Sequence, residues 1–551
     1  MGFAALNPSY DAAPALRFAP CGLHSGARAS CPRSRTPMHY TPLIVELLRS
    51  QPRLAFWAAT LTQGALWWAA ASLFYSSPPG ELPLVLAIGH EFQLGSSFGP
   101  PLAFWMAEIA FRIAGAPGVY LLAQACVVIA YYGVFTLARA IVGMHHAAFA
   151  ALLMAGIFAF TAPTLDFGPA VLAMPFTAFA LVNLWRAVAE RRRAGWFLLA
   201  LQLGLLLLTT YAGLILVFAI CLFLAATRRG RRALRSAEPW LASIVIVAVL
   251  FPHLIWLDLA SERFPLALGL PRVSGSYPSN LLGFVALLIL AHAGLIVLVA
   301  LASKWPFGAQ EKVPVFARSF TDPFGRRFVY FFALVPALAA ALLASFSGER
   351  HTPGSLAPYL ALSGLAVVVW AGNSIHWHRP RITAAAWSLL LAAPPLGVGA
   401  AIVVLPWFGV PGSAAVDRPA AAMGRFFAES FERRTGAPLA IVAGEPRTAA
   451  LVALGAPTRP SLYLDATPER TPWVTADDVR RKGVVVVWPN DDTRAQAPAD
   501  IAMRFPGLVA DVPRAFERAI QGRLPLLRIG WGVIRPQADA ARGPPDAAQS
   551  K

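Results

Sequence analysis

The chain has 551 residues, of which 57% are hydrophobic and only 13% are charged, and its mean hydropathy is +0.58. A soluble domain carries about 25% charged residues, so this composition excludes an ordinary soluble protein and predicts a protein of the lipid bilayer. Lys and Arg (46) outnumber Asp and Glu (28), but they cluster in short loops between apolar segments. This pattern is typical of membrane proteins and excludes nucleic acid as the expected partner.

Residues 1–37 are rich in Ala, Pro, Ser and Arg without helical or strand periodicity, and no cleavable signal precedes the first apolar segment. We predict a cytoplasmic, disordered tail over residues 1–46. The cysteines lack the paired spacing of a zinc site or a disulfide framework; they are Cys21, Cys31, Cys126 and Cys221.

Apolar segments long enough to cross about 30 Å of hydrocarbon recur down to residue 408. They predict a mostly α, polytopic membrane domain over residues 47–410 with about eleven transmembrane helices. The predicted helices lie near residues 54–75, 117–142, 147–163, 168–186, 195–210, 211–226, 238–257, 280–302, 328–347, 355–372 and 385–408.

Arg and Lys cluster before the first predicted helix and after the fourth, sixth, eighth and tenth. With eleven helices, all of these loops lie on one side, which the positive-inside rule makes cytoplasmic. We therefore predict a multi-pass protein of a bacterial inner membrane whose C-terminal residues are periplasmic. Most acidic groups near membrane level fall on the periplasmic side; they are Glu81, Glu91, Asp166, Asp258, Glu262 and Glu349.

The first external loop, residues 76–116, contains two apolar stretches, "LPLVLAIGHEFQ" and "LAFWMAEIAFRIAG", that are too short and too charged to span a bilayer. Glu108 and Arg112 are four residues apart and so share one helix face. We predict two juxtamembrane helices joined by "LGSSFGPP". Glu81 begins the first of them, and Glu91 lies about ten residues on, about 15 Å along a helix, so these glutamates are not a closely spaced catalytic pair.

The composition changes after about residue 410, where short strand-like stretches such as "GVVVVWP" alternate with helical ones. Thr475 and Asp478 have the spacing of a capping box, and Gly483 follows as a helix stop. We predict a small periplasmic α/β domain over residues 411–535 and a disordered tail over residues 536–551.

The stretch "ELPLVLAIGHEFQLGSSFGPPLAFW" resembles the first external loop of the family 39 glycosyltransferases, the bacterial relatives of protein O-mannosyltransferases and of the aminoarabinose transferase that modifies lipid A. In that family an Asp-Glu pair opens the loop, where Glu81 and Leu82 stand here, and a His-Pro-Pro or similar sequence closes it. Further matches follow in order over residues 54–408. They are "TAPTLDFGP" with Asp166, "TTYAG" with Tyr211, "FPHLIWLDLASERFP" with Asp258, and "GERHTPG" with Arg350 and His351.

This resemblance implies a GT-C fold and the transfer of a sugar from a polyprenyl-phosphate donor to a lipid, glycan or protein acceptor outside the cytoplasm, in contact with membrane lipids. It implies that Glu81 acts as base toward the acceptor or helps to hold a divalent metal ion, with Asp166 as the second acid. The candidate substrate-binding residues are Arg350, His351, Tyr211, Asp258 and Glu91.

The sequence differs from the family pattern at three positions. Glu81 is longer than the family's Asp by one methylene, about 1.5 Å, which disturbs a positioned base unless the surroundings compensate; Leu82 replaces the second acid, and Thr210 replaces a lysine. Two alternatives therefore stay open, a catalytically silent membrane scaffold and a lipid or sugar transporter. The chain has no Walker loop, nucleotide fingerprint or nucleophile elbow.

Three of the candidate residues also have a simpler interpretation. Glu81 could be a solvated residue at a helix start, Asp166 the N-cap of the helix that follows it, and Tyr211 a member of the interfacial aromatic belt. His145, His146, His376 and His378 lack neighbouring carboxylates or cysteines in sequence, so no metal site is predicted there.

Overall fold

The computed structural model describes residues 43–261, 277–303, 313–318, 320–347, 353–410, 416–464, 471–490, 492–520 and 522–537. This part of the chain is mostly helical, with a small sheet near its C-terminal end, which confirms the predicted fold class. Arg350 and His351, two of the candidate substrate-binding residues, lie outside the described residues.

The first part, residues 43–410, which we call the helix bundle, contains fifteen described α-helices and one short antiparallel pair of strands. The helices are α1 Leu43–Ser50, α2 Pro52–Phe74, α3 Leu82–His90, α4 Leu102–Val142, α5 Met144–Met154, α6 Pro169–Val188, α7 Arg193–Thr209, α8 Gly213–Ala226, α9 Arg228–Leu234, α10 Glu238–Ser261, α11 Tyr277–Ala291, α12 Ala293–Ala302, α13 Pro323–Ser347, α14 Ser363–Trp370 and α15 Pro380–Val404. The strands are β1 Val315–Ala317 and β2 Ser374–His376.

Every predicted transmembrane segment coincides with helical structure, but the predicted count of eleven is not confirmed. By length and hydropathy, five helical segments of the described residues can cross a membrane, in α4, α6, α10, α13 and α15. Three more qualify only when a helix is joined to a neighbour across a bend of 47° to 103°. The count therefore depends on whether each bent pair forms one span, which hydropathy does not determine.

The two helices predicted in the first loop are present. The first is α3, and the second is the beginning of α4, which breaks at Ala114 (φ −143°, ψ 23°) and Gly115 (φ 62°, ψ −153°). Glycine adopts a positive φ without steric cost, so Gly115 permits the turn that separates the loop helix from the long apolar part of α4.

Several of the Arg-rich loops meet at one end of the helix bundle. The imidazole Nε2 of His145 lies 3.2 Å from the carbonyl oxygen of Arg49, and the Arg49 guanidinium lies 5.6 Å from the centre of the Phe316 ring. Arg318 donates to the carbonyl of Gly372 at 2.8 Å. This arrangement agrees with the clustering of basic residues in the sequence, and the membrane orientation stays a prediction.

The second part, residues 416–537, which we call the C-terminal region, forms a five-stranded mixed sheet in the order β4-β3-β5-β7-β6. Strands β4, β3 and β5 are parallel, and β7 and β6 are antiparallel to their neighbours. The elements are α16 Ala420–Thr435, β3 Ile441–Gly444, α17 Pro446–Gly455, β4 Ser461–Leu464, α18 Ala476–Lys482, β5 Val484–Pro489, α19 Ala499–Arg504, β6 Val509–Phe516 and β7 Leu527–Ile534.

Local sequence rules account for α18. The hydroxyl of Thr475 accepts from the backbone N–H of Asp478 at 3.0 Å, and the Asp478 carboxylate accepts from the N–H of Thr475 at 3.1 Å. Gly483, at φ +73°, follows the last turn. The capping box therefore begins the helix and the glycine ends it, as predicted.

A buried carboxylate joins the C-terminal region to the first loop of the helix bundle. The side chain of Glu108 is only 2% exposed. It accepts from Arg112 at 2.9 Å and from Arg459 of the C-terminal region at 2.8 Å, and it lies 3.2 Å from His90. We call these four residues the Glu108 cluster. Burial of a carboxylate is tolerated when it is paired and hydrogen-bonded, so the cluster requires both parts of the chain.

We predict that Glu108→Ala loosens the C-terminal region. Removing one partner of a buried ion pair costs about 3–5 kcal/mol, because Arg112 and the largely buried Arg459 lose their carboxylate. Limited proteolysis of the purified protein should then release C-terminal fragments faster than in the wild type. Glu190→Ala, which removes an exposed ion pair with Arg192, is the matched control, and equal cleavage rates for the two variants would contradict the role of Glu108.

Candidate functional site

The candidate site begins with the turn before α3. Gly80 has φ +55°, and a Cβ at this position would lie 2.1 Å from Oδ2 of Asp166. Only glycine fits there, both in backbone conformation and in space. The residue after it, Glu81, lies at the start of α3, and its side chain is 48% exposed.

Asp166 approaches this turn from a different loop. It follows the 3-10 helix Ala162–Leu165 and precedes α6. Its Oδ1 accepts hydrogen bonds from the backbone N–H groups of Glu81 and Leu82, both at 3.0 Å. No side-chain hydrogen bond caps α6 itself, so Asp166 caps α3 and not the helix that follows it in sequence. The structure thus brings together Glu81 and Asp166, the two residues predicted to be catalytic.

The environment of Asp166 favours its protonated form. The pKa of this carboxyl is raised from 3.8 to about 7, mainly because the group is buried and also because of the nearby charge of Glu81. The two backbone hydrogen bonds and the positive charge of Arg447 lower the pKa and only partly oppose these effects. Near neutral pH Asp166 therefore exists in both protonation states, and it is a group able to exchange a proton beside Glu81.

A residue that sequence reasoning missed completes this cluster. Arg447, the second residue of α17, donates from Nε to Oε1 of Glu81 at 2.9 Å, and its Nη2 contacts the same oxygen. The two residues are 366 positions apart in sequence. Nothing in the local pattern of "GEPRTAA" indicates this contact, because it arises from the docking of the C-terminal region against α3. We call Glu81, Asp166 and Arg447 the acid-arginine cluster.

Tyr211 belongs to a second group of polar residues, which contacts the first loop at Leu94. Its hydroxyl is 3.0 Å from Nε2 of His253, and Nδ1 of His253 is 2.8 Å from the carbonyl oxygen of Leu94. A carbonyl only accepts, so the proton lies on Nδ1 and the hydroxyl of Tyr211 donates to Nε2. Tyr211 is therefore tied to the first loop. His253 was missed, although a histidine inside an apolar segment is itself a signal of a specific partner.

Trp256 fixes the position of His253. The two rings are stacked, with centroids 5.6 Å apart and an interplanar angle of 10°. Trp256 also packs against Gly95, where a Cβ would lie 2.5 Å from the indole. The small residue at the loop tip therefore allows α10 to approach the first loop closely.

Glu91 and Asp258 are the two other sequence candidates in the described part of the chain. Glu91 lies at the opposite end of α3 from Glu81, where burial raises its pKa, and a hydrogen bond from Ser461 together with the charges of His90 and Lys482 lowers it. Glu91 thus faces the C-terminal region. Asp258 is exposed near the end of α10. The roles predicted for these two residues stay predictions.

The described residues contain no group of three or more His, Cys, Asp or Glu side chains able to hold a metal ion. Glu81 and Asp166 supply two carboxylates, and Arg447 occupies one oxygen of Glu81. This donor set falls short of a three-ligand zinc site, whereas two carboxylates together with a substrate phosphate are ligands that Mg²⁺ accepts.

An apolar cavity of about 260 Å³ lies next to the loop of Asp166, because its lining begins at Pro169, three residues further along the chain. Helices α6, α7, α8 and α13 contribute side chains, and the hydroxyl of Tyr359 closes one wall, 3.5 Å from the carbonyl oxygen of Ala212. Such a cavity accepts hydrocarbon. Its other lining residues include Ala173, Leu206, Leu216, Phe332 and Leu362.

Comparison with known proteins agrees with this architecture. A family model described as dolichyl-phosphate-mannose-protein mannosyltransferase matches residues 99–256, a range that contains Asp166, Tyr211 and His253. No curated protein matches the sequence significantly.

Two solved structures of ArnT from Cupriavidus metallidurans are similar over most of the chain. The structure bound to undecaprenyl phosphate has a TM-score of 0.55 at 13% identity and covers 89% of this chain and 98% of its own. The apo structure has a TM-score of 0.54 at 15% identity and covers 87% of this chain and 97% of its own. The resemblance predicted from the sequence is confirmed, and the fold is the GT-C glycosyltransferase fold.

The raised pKa of Asp166 predicts a pH-dependent contribution to stability. The folded protein binds the proton of Asp166 more tightly than the unfolded chain does. This carboxyl therefore contributes fully to the free energy of unfolding below about pH 4, and the contribution is lost as the pH rises to about 7. Asp166→Asn keeps an oxygen acceptor for the backbone of α3 and has no proton to lose. The melting temperature of the variant relative to wild type should therefore be higher at pH 8 than at pH 5.

Asp478→Asn is the control for this measurement. Hydrogen bonding from Thr475 lowers the pKa of Asp478 to about 2, so this carboxyl stays ionised at both pH values. Its substitution should shift the melting temperature equally at pH 5 and pH 8. If the melting temperatures of wild type and Asp166→Asn differed by the same amount at pH 5 and pH 8, the result would contradict the raised pKa of Asp166.

Proposed function

We propose that the protein is an integral-membrane glycosyltransferase that transfers a sugar from a polyprenyl-phosphate donor to a lipid, glycan or protein acceptor. The observation that carries this proposal is the convergence of Glu81 and Asp166, from two separate loops, beside an apolar cavity in a GT-C fold. In the proposed orientation, the acid-arginine cluster faces the periplasm and the C-terminal region is periplasmic.

Glu81 is the proposed base of the reaction. Its carboxylate is half-exposed and so is reachable by an acceptor hydroxyl or amine, whereas Asp166 is engaged with the backbone of α3. As the acceptor atom bonds to the anomeric carbon, the bond from that carbon to the phosphate oxygen breaks and the acceptor proton passes to Glu81. General-base catalysis of this kind contributes about 10²–10⁴ in rate.

Asp166 has a supporting role in this proposal. Its two backbone hydrogen bonds hold the first turn of α3, and therefore the Cα of Glu81, in place. A shift of about 1 Å in a reacting group costs about 100-fold in rate, so the rigidity of this turn bears directly on activity. The partly protonated carboxyl is also adjacent to Glu81 and able to accept its proton.

The apolar cavity supports a lipid-linked donor. It lies between α6 and the turn joining α7 to α8, next to the loop that carries Asp166. A polyprenyl chain in this cavity would leave its phosphate near the ends of the helices, where the carboxylates are. The bound undecaprenyl phosphate named for the ArnT structure is consistent with this use of the fold.

The first test is sugar transfer in nanodiscs. Radiolabelled polyprenyl-phosphate sugars are offered one at a time with an envelope extract as acceptor, to wild type, Glu81→Gln and the exposed-site control Glu432→Gln. We expect transfer by wild type and by the control, and a loss of at least about 100-fold in Glu81→Gln, because the amide accepts no proton.

The outcomes separate the class of protein from the mechanism. Transfer that is unchanged in Glu81→Gln would keep the transferase and remove Glu81 from the chemistry. No transfer with any donor, by wild-type protein shown to be folded, would reject the proposed function and favour a silent scaffold or a transporter.

The cavity makes a separate prediction about the donor lipid. Ala212 lines it, and Ala212→Phe should raise the KM for the donor about 5-fold or more, a difference of about 1 kcal/mol, because the ring would occupy space that the polyprenyl chain needs. Ala226→Phe, at the far end of the same helix α8, is the control. Equal KM values for the two variants would place the polyprenyl chain elsewhere.

A further inference from the structure

The long side chain of Glu81 needs an anchor if it is to act as a positioned base. Glutamate has one more rotatable bond than the aspartate of the resembling family, and freely rotating bonds lower the fraction of time that a group spends in a reactive geometry. In the described part of the chain, Arg447 is the residue whose side chain hydrogen-bonds the Glu81 carboxylate. Both contacts are made to Oε1 and neither to Oε2.

The backbone at Arg447 is held by several contacts. The carboxylate of Glu445 caps α17, accepting from the N–H of Arg447 at 3.2 Å and from the N–H of Thr448 at 2.8 Å. The N–H of Glu445 donates to the carbonyl of Val487 at 2.9 Å. Gly444, at φ +115°, packs so closely that a Cβ would lie 1.9 Å from that same carbonyl oxygen. The turn between β3 and α17 is thereby fastened to strand β5.

The sheet places Arg447 where α/β sheets present functional groups. Chain order and spatial order reverse between β3 and β5, because β4 lies on one side of β3 and β5 on the other. Ligand-contacting residues in such sheets follow the carboxyl ends of strands at this reversal. Arg447 follows the carboxyl end of β3, and in this protein that edge of the sheet faces α3 of the helix bundle.

Two ion pairs bracket α17 along its contact with the first loop. Arg447 at its beginning binds Glu81, and Arg459, just after its end, binds the buried Glu108. The Arg459 guanidinium also lies 4.9 Å from the centre of the Phe111 ring. Because the second pair is largely buried, it sets the position of α17, and the position of α17 in turn sets where the Arg447 guanidinium meets Glu81.

We infer that Arg447 is a positioning residue for the proposed transfer reaction, an inference that rests on the proposed function. Its guanidinium holds Oε1 of Glu81 so that Oε2 is presented to the acceptor proton. The C-terminal region thereby completes the catalytic site of the helix bundle. The arginine also offsets the extra methylene of Glu81 relative to an aspartate, since it fixes the end of the longer side chain.

The test compares Arg447→Met, Arg447→Lys and Arg480→Met in the full-length protein in nanodiscs. Arg447→Met keeps an unbranched apolar stem but removes the guanidinium and its charge, and Arg480→Met removes an exposed arginine of the same region that pairs with Asp477. We expect kcat to fall about 100-fold in Arg447→Met while the KM for the donor changes less than about 2-fold. The kcat of Arg447→Lys should be about 10-fold higher than that of Arg447→Met. Arg480→Met should have the kcat and KM of the wild type.

Other results would overturn the inference. A rise in the KM for the donor with kcat retained would make Arg447 a substrate ligand, and unchanged kcat would leave it without a role in the reaction. If Arg447→Lys lost as much kcat as Arg447→Met, with both variants equally folded, charge at this position would not orient Glu81.

A chemical measurement keeps failure of the inference distinct from failure of the proposed function. The rate at which Glu81 couples to an amine in the presence of a water-soluble carbodiimide is followed by peptide mass spectrometry in folded protein. If Arg447 pairs with Glu81, the Glu81 carboxylate should be modified faster in Arg447→Met than in wild type or Arg480→Met. Wild type that transfers no sugar rejects the proposed function and the positioning role with it, whereas equal modification rates reject the ion pair alone.

Discussion

The site depends on one buried carboxylate, that of Asp166, bonded to the first backbone N–H groups of α3. Burying an acid requires hydrogen-bond donors, and the start of a helix offers N–H groups that have no partner within the helix. The two needs are met together by the pair of 3.0 Å contacts to Glu81 and Leu82. Gly80 makes the approach possible, because any side chain there would overlap the carboxylate.

From that constraint the position of Glu81 follows, and with it the arrangement of the C-terminal region. Leu82, which stands where the resembling family has a second acid, is fully buried in the apolar core, so the second carboxylate beside Glu81 comes from Asp166. The side chain of Glu81 points outward to the guanidinium of Arg447. One part of the chain thus supplies the acids and the other supplies the cation.

The contact between the two parts is held by charges of unequal burial. Glu108 is buried and bound by Arg459, so this pair contributes more to docking than an exposed pair does. Glu81 and Arg447 are both about half-exposed, and their pair is reachable from solvent. The buried pair at one end of α17 and the exposed pair at the other are consistent with the proposed role of this region, which is docked at Glu108 and accessible at Glu81.

Local sequence pattern determined those features whose cause is local. The apolar segments, the two loop helices and the capping box of α18 follow from composition and spacing over a few residues, and each was predicted. Resemblance to a known family added Glu81 and Asp166, which a spacing of 85 residues would not have joined. Arg447, Arg459 and His253 were decided only by the tertiary structure, since their partners lie 366, 351 and 159 residues away. The physical reason is that side chains so far apart in sequence meet only when whole helices and sheets pack, and packing depends on shape and charge over the entire interface.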